Sequence, residues 1–425
     1  MYGLLGKTLK HSMSKYIHEY IHPMDYHLME TDDLDTFLKT RNFKGINVTI
    51  PYKKAVIPYC DVLDDSVIDT GVVNTIINTN GFLKAYNTDY LALKNIIETH
   101  FPAANNTDIA IIGNGATTSS LYIALQDLGY LNLTVYARTP KNKEELSLDK
   151  IKSSHTVLIN TTPLGMYPNN HVPFPIDLTQ LPQLDLVFDV VYNPLKTSLI
   201  LAAEARNIKT LSGLSMLITQ AFYANQYFFN AHYNNILIEE TFKYIYKMMI
   251  NITLIGLPFS GKTTYGKLLG NRYNKTFIDI DEAIIKDESM PITDIFKVHG
   301  EAYFRTLESA KTMSISKEIN QIISTGGGVV LNPSSIISLK QTSVIVYLDL
   351  AQSLMKTIRF HSRPHVQTYE DLLHLKISRH HLYKNAADII INKDTLDRKV
   401  IMDRLEVKIN DYINYQWTKS KPFRD

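Results

Sequence analysis

The sequence predicts an α/β protein built from two successive regions, each with a nucleotide-binding pattern between a strand and a helix. In the first half, the apolar run 108–112 leads into Gly113-Asn114-Gly115 and then into a helical pattern. Past the middle of the chain, the apolar run 250–255 leads into the glycine-rich segment 256–263, again followed by a helical pattern. A chain of 425 residues is long enough for two or three domains, each with its own core.

Composition excludes several classes of protein. The chain is 45% hydrophobic and 20% charged, and its net charge of +2 gives no broad basic field, so nucleic acid is not expected as a partner. The single cysteine, Cys60, excludes an intrachain disulfide and a cysteine-rich metal site. The sequence shows no signal-peptide pattern and no apolar run of membrane-spanning length. We therefore expect a cytoplasmic enzyme with no membrane partner, and the oligomeric state stays open.

The beginning of the chain contains a motif with two interpretations. A strand is predicted at 2–5 and a helix from about Lys15, so Ser14 taken alone is explained as a helix N-cap. Within that helix, the segment 18–22 matches the H-E-x-x-H pattern of zinc proteases. Pro23 is expected to end the helix directly after the second histidine, and no third ligand follows at a suitable spacing. We favour a helix face whose histidines are solvated or hydrogen-bonded to neighbours, with a zinc site as the alternative.

The middle of the first half has the β-α-β pattern of a dinucleotide-binding fold. The glycines after strand 108–112 allow the backbone to approach a pyrophosphate at the helix N-terminus, although Thr118 stands where a third glycine is usual. A second strand, 133–136, ends at Ala137-Arg138-Thr139. An acidic residue there would bind the ribose 2′-hydroxyl of NAD, whereas Arg138 suits the 2′-phosphate of NADP. The pattern therefore predicts an NADP-binding Rossmann domain.

Six short polar motifs follow one another between residues 11 and 220. Taken alone, each is typical of a strand end, a turn or a packed helix. They are H-S-x-S at 11–14, N-V-T-x-P-x-K at 47–53, G-x-V-N-T at 71–75, N-T-D at 87–89, N-x-T-P-x-G-M at 160–166 and G-x-x-M-L-x-x-Q at 213–220. Together they resemble the shikimate dehydrogenase family over residues 1–247. The resemblance implies a substrate domain at 1–100 and about 223–247, and an NADP-binding Rossmann domain at 101–222.

The same resemblance assigns roles to residues. Lys53 and Asp89 would form the catalytic pair, and a lysine beside a carboxylate can carry the proton that reduction of 3-dehydroshikimate by NADPH requires. The residues that would bind the substrate are Ser12, Ser14, Asn47, Thr49, Asn74, Asp89, Tyr192 and Gln220. Those that would bind NADP(H) are Gly113, Gly115, Ala116, Arg138, Thr139 and Gly213. Two positions depart from the family pattern, since Lys15 replaces the usual proline and Ala137 the usual asparagine.

The second half begins with a phosphate-binding pattern. The segment 256–263 has the form G-x-x-x-x-G-K-T between a strand and a helix. Its glycines allow backbone N–H groups to surround phosphate oxygens at the positive end of the helix dipole. Lys262 would reach the β and γ phosphates of ATP, and the Thr263 hydroxyl would bind Mg²⁺. An ordinary glycine turn is the alternative, and the strand and helix on either side argue against it.

Later segments supply acids, glycines and arginines. The run 277–281 is predicted as a strand, whose period of two puts Asp279 and Asp281 on one face. A metal ion or a hydroxyl ligand would satisfy both acids there, and a surface strand is the alternative. A triple glycine at 326–328 follows another predicted strand and permits close approach of a ligand. Isolated arginines are usually solvated, so the arginines of this half indicate a site only together with the acids and glycines. They are Arg305, Arg359, Arg363 and Arg379.

Together these segments resemble the shikimate kinase family over residues 249 to about 410, within a P-loop kinase domain predicted at 249–425. The resemblance implies that Asp281 is the base for the attacking hydroxyl, that Lys262 and Arg363, the latter in the lid, assist phosphoryl transfer, and that Arg359 lies near the adenine. Shikimate would be held by Asp281, Arg305, Gly327, Gly328 and Arg379, with the arginines pairing its carboxylate. Mg-ATP would be held by Gly256, Ser260, Gly261, Lys262, Thr263, Thr264 and Arg359, with Thr263 as a ligand of the metal and Asp279 helping to position it through water.

The sequence therefore predicts a bifunctional enzyme that makes shikimate with NADPH and then phosphorylates it with Mg-ATP. One alternative is a P-loop kinase joined to a reductase for other small molecules, and the two shikimate-binding motif sets in one chain argue against it. The other alternative is an active kinase with a catalytically weak or binding-only dehydrogenase module. Retention of Lys53 and Asp89 argues against this alternative, whereas Thr118 and Ala137 leave it open.

Overall fold

The computed structural model describes residues 1–9, 12–360 and 366–423. Contacts divide the chain into two compact units, Met1–Ile245 together with the end of the chain from Gln416 on, and Tyr246–Tyr415. Assigning all of 249–425 to the kinase domain was therefore wrong for the last residues. Trp417 is buried in the first unit, with its ring centroid 5.3 Å from that of Phe242. None of the helices described here combines the length and the apolar character needed to cross a membrane.

The first sheet of unit 1 is built from short strands with apolar inward side chains, such as Leu5, Ile46 and Ile76. Its elements are β1 (Tyr2–Gly6), α1 (Ser14–Ile21), β2 (Tyr26–Glu30), α2 (Leu34–Thr40), β3 (Gly45–Val48), β4 (Val62–Leu63), α3 (Asp65–Thr70), β5 (Thr75–Thr79), β6 (Phe82–Tyr86) and α4 (Thr88–His100). Over the described residues the strand order is β2-β1-β3-β5-β6-β4, with β5 antiparallel to β3 and β6. Asn87 begins α4 by accepting a hydrogen bond from the Tyr90 N–H.

The second sheet of unit 1 is the predicted Rossmann sheet. Its elements are β7 (Asp108–Ile112), α5 (Ala116–Asp127), β8 (Asn132–Ala137), β9 (Leu146–Ser147), β10 (Val157–Asn160), β11 (Leu186–Asp189), α6 (Ser198–Glu204), β12 (Lys209–Ser212), α7 (Leu214–Phe229) and α8 (Asn235–Met249). The strands are parallel in the order β12-β11-β10-β7-β8-β9. The order reverses between β7 and β10, and ligands of such sheets bind at the strand ends beside this reversal.

Unit 2 is organised around one central strand that leads into the glycine-rich segment. Its elements are β13 (Asn251–Ile255), α9 (Lys262–Tyr273), β14 (Thr276–Asp279), α10 (Ile280–Glu288), α11 (Ile292–Ile315), β15 (Gln321–Ser324), α12 (Pro333–Thr342), β16 (Ser343–Leu350), α13 (Gln352–Met355), α14 (Tyr369–Ala386), β17 (Ile389–Lys393) and α15 (Arg398–Ser420). The sheet is parallel in the order β14-β15-β13-β16-β17 over the described residues. The carboxyl end of β13 therefore lies between two neighbours, where parallel sheets bind ligands.

Candidate active sites

Lys53 and Asp89 form a close ion pair in unit 1. Lys53 follows β3, and Asp89 lies in the first turn of α4. Lys53 Nζ lies 2.5 Å from Asp89 Oδ2, with the two side chains 14% and 8% exposed. Because little water surrounds the pair, its attraction is weakly screened. An ammonium held against a carboxylate can exchange a proton with a carbonyl or hydroxyl group that reaches it.

Asn47 is held from both sides of its amide. The Tyr26 hydroxyl donates to Asn47 Oδ1 at 2.7 Å, and Asn47 Nδ2 donates to Thr75 Oγ1 at 3.0 Å. Burial raises the pKa of the Tyr26 phenol, so this group remains a donor. These bonds fix the orientation of the amide. Sequence reasoning missed both partners; Thr75 could have been found inside the G-x-V-N-T motif, whereas no motif marks Tyr26.

Thr88 joins two predicted substrate residues from distant motifs. Asn74 Oδ1 accepts from the Thr88 N–H at 2.7 Å, and Asn74 Nδ2 donates to Thr88 Oγ1 at 2.9 Å. Thr88 Oγ1 also lies 3.4 Å from Gln220 Oε1. Gln220 lies on α7, and Gly213 is the N-cap of that helix. Since Asp89 follows Thr88 directly, the structure brings Asn74 and Gln220 next to the ion pair.

The remaining predicted substrate residues lie at loops and helix starts of unit 1. Ser14 is buried and is the first residue of α1, not its N-cap, and its N–H donates to Ser12 Oγ at 3.2 Å. Tyr192 lies against the backbone of Met13, and desolvation raises the pKa of its phenol. Thr49 directly follows β3. The N-cap interpretation of Ser14 was thus wrong, because Ser12 supplies the oxygen that receives the amide.

The H-E-x-x-H segment forms part of the packed interior at its first histidine. His18 is fully buried, its ring stacks on Tyr26 with centroids 4.3 Å apart, and its Nδ1 lies 2.8 Å from Asn225 Nδ2. Burial lowers the pKa of His18 to about 3, so the ring is neutral. His22 Nδ1 lies 3.2 Å from the Tyr233 hydroxyl. The interpretation of histidines hydrogen-bonded to neighbours is confirmed, and the described residues contain no group of three acidic, His or Cys side chains suited to a metal.

The glycine loop after β7 lies close to the residues that follow β10. Gly113 has a φ of 123°, and a Cβ there would lie 2.9 Å from the Thr162 methyl group. Thr118 Oγ1 accepts from the Gly115 N–H at 3.1 Å and lies 2.7 Å from Thr161 Oγ1. Hydrogen bonds thus hold the helix to the strand ends where the usual third glycine would allow direct packing. The Thr118 departure is compatible with an intact dinucleotide loop.

The end of β8 lies beside this loop. Ala137 is buried, whereas Arg138 and Thr139 are exposed, and the Thr139 carbonyl accepts from Asn114 Nδ2 at 3.0 Å. Helix α5 starts at Ala116 without a side chain at its glycine N-cap that could occupy the amides of the first turn. The narrow glycine cradle, the open helix N-terminus and the exposed guanidinium fit a dinucleotide that carries a 2′-phosphate.

A cavity of about 730 Å³ opens at the glycine-rich segment of unit 2. Gly256 and Gly261 have φ values of 144° and 94°, which bend the loop around its own amides. The ammonium of Lys262 is buried and donates to Gly256 O at 3.0 Å and to Leu257 O at 2.9 Å. Ser260 Oγ is buried with no hydrogen-bond partner among the described residues. This loop fits phosphate oxygens, because these would take up donors that the protein itself does not use.

Asp279 caps a helix beside the loop. Its Oδ1 accepts from the Asp281 N–H at 3.0 Å, and its Oδ2 accepts from Thr263 Oγ1 at 2.8 Å. The prediction of Asp279 and Asp281 on one strand face was therefore wrong: β14 ends at Asp279, and Asp281 lies in the first turn of α10. Both acids still line the cavity with Thr263. A carboxylate and a hydroxyl at this spacing are the oxygen ligands that Mg²⁺ prefers, so the residues fit the ion.

Acids and an arginine meet beside the triple glycine. Arg305 Nη1 pairs with Glu308 Oε2 at 2.7 Å, and a Cβ at Gly328 would collide with the Arg305 guanidinium. A Cβ at Gly326 would lie 2.9 Å from Asp281 Oδ1 and would also meet the Glu308 carboxylate. Burial raises the pKa of Glu308, although Arg305 opposes this shift. Sequence reasoning missed Glu308, whose position one helical turn after Arg305 was the available signal.

Helix α14 holds the triple glycine from the other side. Arg379 Nη1 donates to the Gly327 carbonyl at 2.9 Å, and the Tyr383 hydroxyl donates to the same carbonyl at 2.6 Å. Burial raises the pKa of Tyr383 to about 12, so it remains a donor. Arg379 thus reaches the same turn as Arg305, and two cations flank the glycines. A pair of guanidinium groups is suited to a carboxylate ligand.

Residues from later elements also line the cavity. Lys393 and Arg398 line it, and Lys393 Nζ donates to the Ser260 carbonyl at 3.0 Å. Sequence reasoning missed both, although Lys393 ends a strand next to the phosphate loop. Arg359 is exposed, and its neighbour Ile358 lines the cavity. Arg363 lies outside the described residues.

Comparison with known proteins identifies the first unit. The family model of the shikimate dehydrogenase substrate binding domain matches residues 4–76. The shikimate dehydrogenase (NADP(+)) of Methanosphaera stadtmanae is 32% identical over 255 residues, which cover 53% of this chain and 90% of that protein. The chain belongs to the shikimate dehydrogenase family.

Solved structures agree with this family membership. Shikimate dehydrogenase 1 from Peptoclostridium difficile is similar with a TM-score of 0.53 at 27% identity, covering 57% of this chain and 97% of that one. A chorismate mutase/shikimate 5-dehydrogenase fusion protein from Clostridium acetobutylicum is similar with a TM-score of 0.53 at 28% identity, covering 57% and 96% of the two chains. The shikimate kinase family model matches residues 258–410. A shikimate kinase domain therefore follows the dehydrogenase domain.

Proposed function

We propose that this chain catalyses two successive reactions, reduction of 3-dehydroshikimate to shikimate with NADPH and phosphorylation of shikimate with Mg-ATP to shikimate 3-phosphate. Two observations carry the proposal. The dehydrogenase domain holds the close Lys53–Asp89 pair. The kinase domain holds Asp281 in the cavity of the phosphate loop, next to the glycines that Arg305 and Arg379 contact. The product of the first reaction is the substrate of the second. A cytoplasmic location remains a prediction from composition.

In the dehydrogenase domain, the chain supplies the proton and the orientation of the substrate. NADPH, when bound, supplies the hydride to the carbonyl carbon. Lys53 donates a proton to the carbonyl oxygen, and Asp89 holds the ammonium in place at 2.5 Å. The amides of Asn47, Asn74 and Gln220 bind substrate hydroxyls. Hydroxyl donors for the substrate carboxylate and hydroxyls come from Ser12, Ser14, Thr49 and Tyr192.

The cofactor lies along the ends of β7 and β8 in this proposal. Amides after Gly113 and Gly115 and the first turn from Ala116 bind the pyrophosphate. Arg138 and Thr139 bind the 2′-phosphate, since both are exposed next to the loop and no acid stands at that strand end. Gly213 borders the nicotinamide end at the start of α7.

In the kinase domain, Asp281 accepts the proton of the attacking hydroxyl, and Arg305 and Arg379 bind the shikimate carboxylate near Gly327 and Gly328. Lys262 leaves the loop carbonyls to reach the phosphates, which lie against amides from Gly256 to Thr264. Thr263 and Asp279 hold Mg²⁺, which neutralises phosphate charge when bound. The roles of Arg359 and Arg363 remain those implied by the family.

Two assays on the purified chain test the proposal. Shikimate with NADP⁺ is expected to yield NADPH, and shikimate with Mg-ATP is expected to yield ADP and shikimate 3-phosphate; omission of shikimate is the control. The competing function, a kinase with a weak dehydrogenase module, predicts ADP formation without NADPH formation. The hydrogen-bonded Thr118 and the close Lys53–Asp89 pair both favour an active dehydrogenase.

A further inference from the structure

The last residues of the chain lie beyond the kinase fold. The shikimate kinase family model ends its match at residue 410. Helix α15 continues to Ser420, and the chain from Gln416 on belongs by its contacts to the same unit as Met1–Ile245. Residues 416–423 are called the C-terminal segment below. They belong to a part of the chain that neither family match accounts for.

An aromatic anchor fixes the C-terminal segment to the dehydrogenase unit. Trp417 is 6% exposed, and its ring centroid lies 5.3 Å from that of Phe242 and 5.9 Å from that of Phe423. Phe242 is itself buried on α8. A tryptophan buries more apolar area than other side chains, so this contact is a strong point of attachment. Trp417 is also the one tryptophan of the sequence, which makes it a spectroscopic reporter.

A lysine adds a partly buried polar contact. Lys419 Nζ lies 3.1 Å from Glu204 Oε1 and donates to Thr210 Oγ1 at 2.6 Å. The two charged side chains are 22% and 27% exposed. Glu204 ends α6 and Thr210 lies on β12, so Lys419 connects two elements of the Rossmann domain. The second acid oxygen, Glu204 Oε2, pairs with Lys196 at 3.0 Å.

Three consecutive carbonyls, that of the last residue of α15 and those of the two residues after it, receive donors from the dehydrogenase unit. Ser215 Oγ donates to Ser420 O at 2.6 Å, His100 Nε2 lies 2.7 Å from Lys421 O, and Thr99 Oγ1 donates to Pro422 O at 2.9 Å. Carbonyls at a helix C-terminus lack partners within the helix. The dehydrogenase unit supplies such a partner for Ser420, the last residue of α15, from α7, and it holds the next two carbonyls from α4.

The two capping helices also carry residues of the proposed dehydrogenase site. Ser215 is the second residue of α7, which starts at the N-cap Gly213 and carries Gln220. His100 is the last residue of α4, whose first turn carries Asp89. The C-terminal segment therefore contacts both helices that bring Asp89 and Gln220 together through Thr88.

We infer that the C-terminal segment is an integral part of the dehydrogenase, completing its unit and positioning α4 and α7 for substrate and cofactor. Its residues are positioning residues, since the contacts described above are with the helices and not with the ion pair. The inference rests on the proposed dehydrogenase activity. It predicts that the dehydrogenase depends on residues encoded after the kinase domain, whereas the kinase does not depend on this segment.

The test compares single substitutions in the full chain. Trp417→Ala and Lys419→Ala remove the aromatic and the ionic anchor. Tyr415→Ala and Lys408→Ala are matched controls, because both residues are exposed on the same helix. Each anchor variant is expected to lower kcat/KM for shikimate oxidation about tenfold or more, since small displacements of positioned groups have effects of this size. Kinase kcat/KM and both controls are expected to stay at the wild-type value.

Further readouts separate positioning from folding. For Lys419→Ala, emission of Trp417 is expected to shift to longer wavelength, and the KM for shikimate or NADP⁺ is expected to rise in protein that still unfolds cooperatively. Loss of the folded dehydrogenase unit with an active kinase would also support the inference, as completion of the unit. Ser215→Ala, which removes one hydroxyl, is expected to raise the same KM to a smaller extent.

Two results are decisive and distinguishable. A wild-type chain without shikimate oxidation contradicts the proposed dehydrogenase function itself. An active wild type whose Trp417→Ala and Lys419→Ala variants keep the wild-type kcat/KM and KM overturns the role of the C-terminal segment. Equal losses in dehydrogenase and kinase activity would also overturn it, because the segment contacts described here all lie within the dehydrogenase unit.

Discussion

The two candidate sites hold their lysines in different ways. In the dehydrogenase domain, Lys53 is paired with the Asp89 carboxylate, which comes from another element 36 residues away. In the kinase domain, Lys262 donates to two carbonyls of its own loop, from Gly256 and Leu257. The dehydrogenase site is thus assembled from side chains of several elements, whereas the phosphate loop is a continuous stretch of backbone.

This difference has a physical consequence for function. Side chains that already bind each other, such as Asn47 with Tyr26 and Asn74 with Thr88, are oriented before substrate arrives. The loop lysine has to exchange backbone carbonyls for phosphate oxygens, which carry more negative charge. Substitutions in the dehydrogenase site are therefore expected to affect shikimate oxidation strongly. The kinase reaction is expected to depend on separate residues.

The largest expected effect follows from removing the proton donor of the dispersed site. Lys53→Ala is expected to lower shikimate oxidation about 10³- to 10⁴-fold, near the upper range for loss of a general acid–base. Phosphorylation of shikimate is expected to remain at the wild-type rate. Lys54→Ala, the exposed neighbour, is the control. If both activities disappear while the protein stays folded, the two sites are not independent as described.

The corresponding change in the loop is Lys262→Ala. It is expected to lower kinase kcat/KM about 10²- to 10³-fold, because a positioned cation on the transferring phosphoryl group is lost. Shikimate oxidation is expected to be unaffected. Lys267→Ala, exposed on the same helix, controls for loss of a lysine near the loop. A kinase that retains most of its activity without Lys262 would contradict the assignment of the phosphate site.

Cofactor choice gives an intermediate effect. Arg138→Ala is expected to raise the KM for NADP⁺ about 10- to 100-fold, the effect of losing a hydrogen-bonded ion pair, and to leave the KM for NAD⁺ nearly unchanged. Lys150→Ala, an exposed lysine of the same domain, is the control. An equal rise for both cofactors would mean that Arg138 does not bind the 2′-phosphate.

The smallest expected effect is on the stability of unit 1 at acidic pH. Burial lowers the pKa of His18 to about 3 and that of His100 to about 4, from an ordinary value of 6.5. Below pH 6.5 the unfolded chain binds protons that the folded unit 1 excludes. The free energy of unfolding of unit 1 therefore decreases as the pH is lowered, by about 1.4 kcal/mol per pH unit for each histidine.

Unfolding of unit 1, followed through loss of dehydrogenase activity in denaturant, measures this dependence. His18→Gln is expected to make the slope between pH 6 and 4 shallower, since about one titrating group is removed. His299→Gln, at an exposed histidine of unit 2, is the control. A slope that His18→Gln leaves unchanged would contradict the neutral buried ring.

The phosphate loop of the kinase domain could be predicted better from the sequence than the dehydrogenase site, for a physical reason. The strand, loop and helix around Lys262 are local, so their pattern alone indicates phosphate binding. The dehydrogenase residues are brought together by the sheet and by α7, and only their combined resemblance to a family indicated a common site. The doubly wound order of the Rossmann sheet agreed with the β-α-β pattern.

Other features could not be predicted from local patterns. Tyr26 orients Asn47 from a strand with no motif. Glu308 pairs with Arg305 inside one helix, and the sequence had indicated a role only for the arginine. Asp281 was placed on a strand because alternation was extended past Asp279, although an aspartate commonly ends a strand by capping the next helix. The packing of residues after 415 with unit 1 depends on contacts more than 200 residues distant, such as Ser215 with Ser420.

The measurement that tests the central claim most directly supplies the chain with 3-dehydroshikimate, NADPH and Mg-ATP in one vessel. NADPH loss, ADP formation and shikimate 3-phosphate are followed together. The account predicts that shikimate 3-phosphate and ADP accumulate in amounts equal to the NADPH consumed, that Lys53→Ala stops all three, and that Lys262→Ala leaves NADPH loss with unphosphorylated shikimate as product. A wild-type chain that consumes no NADPH, or one that consumes NADPH with no phosphorylated product, would contradict it.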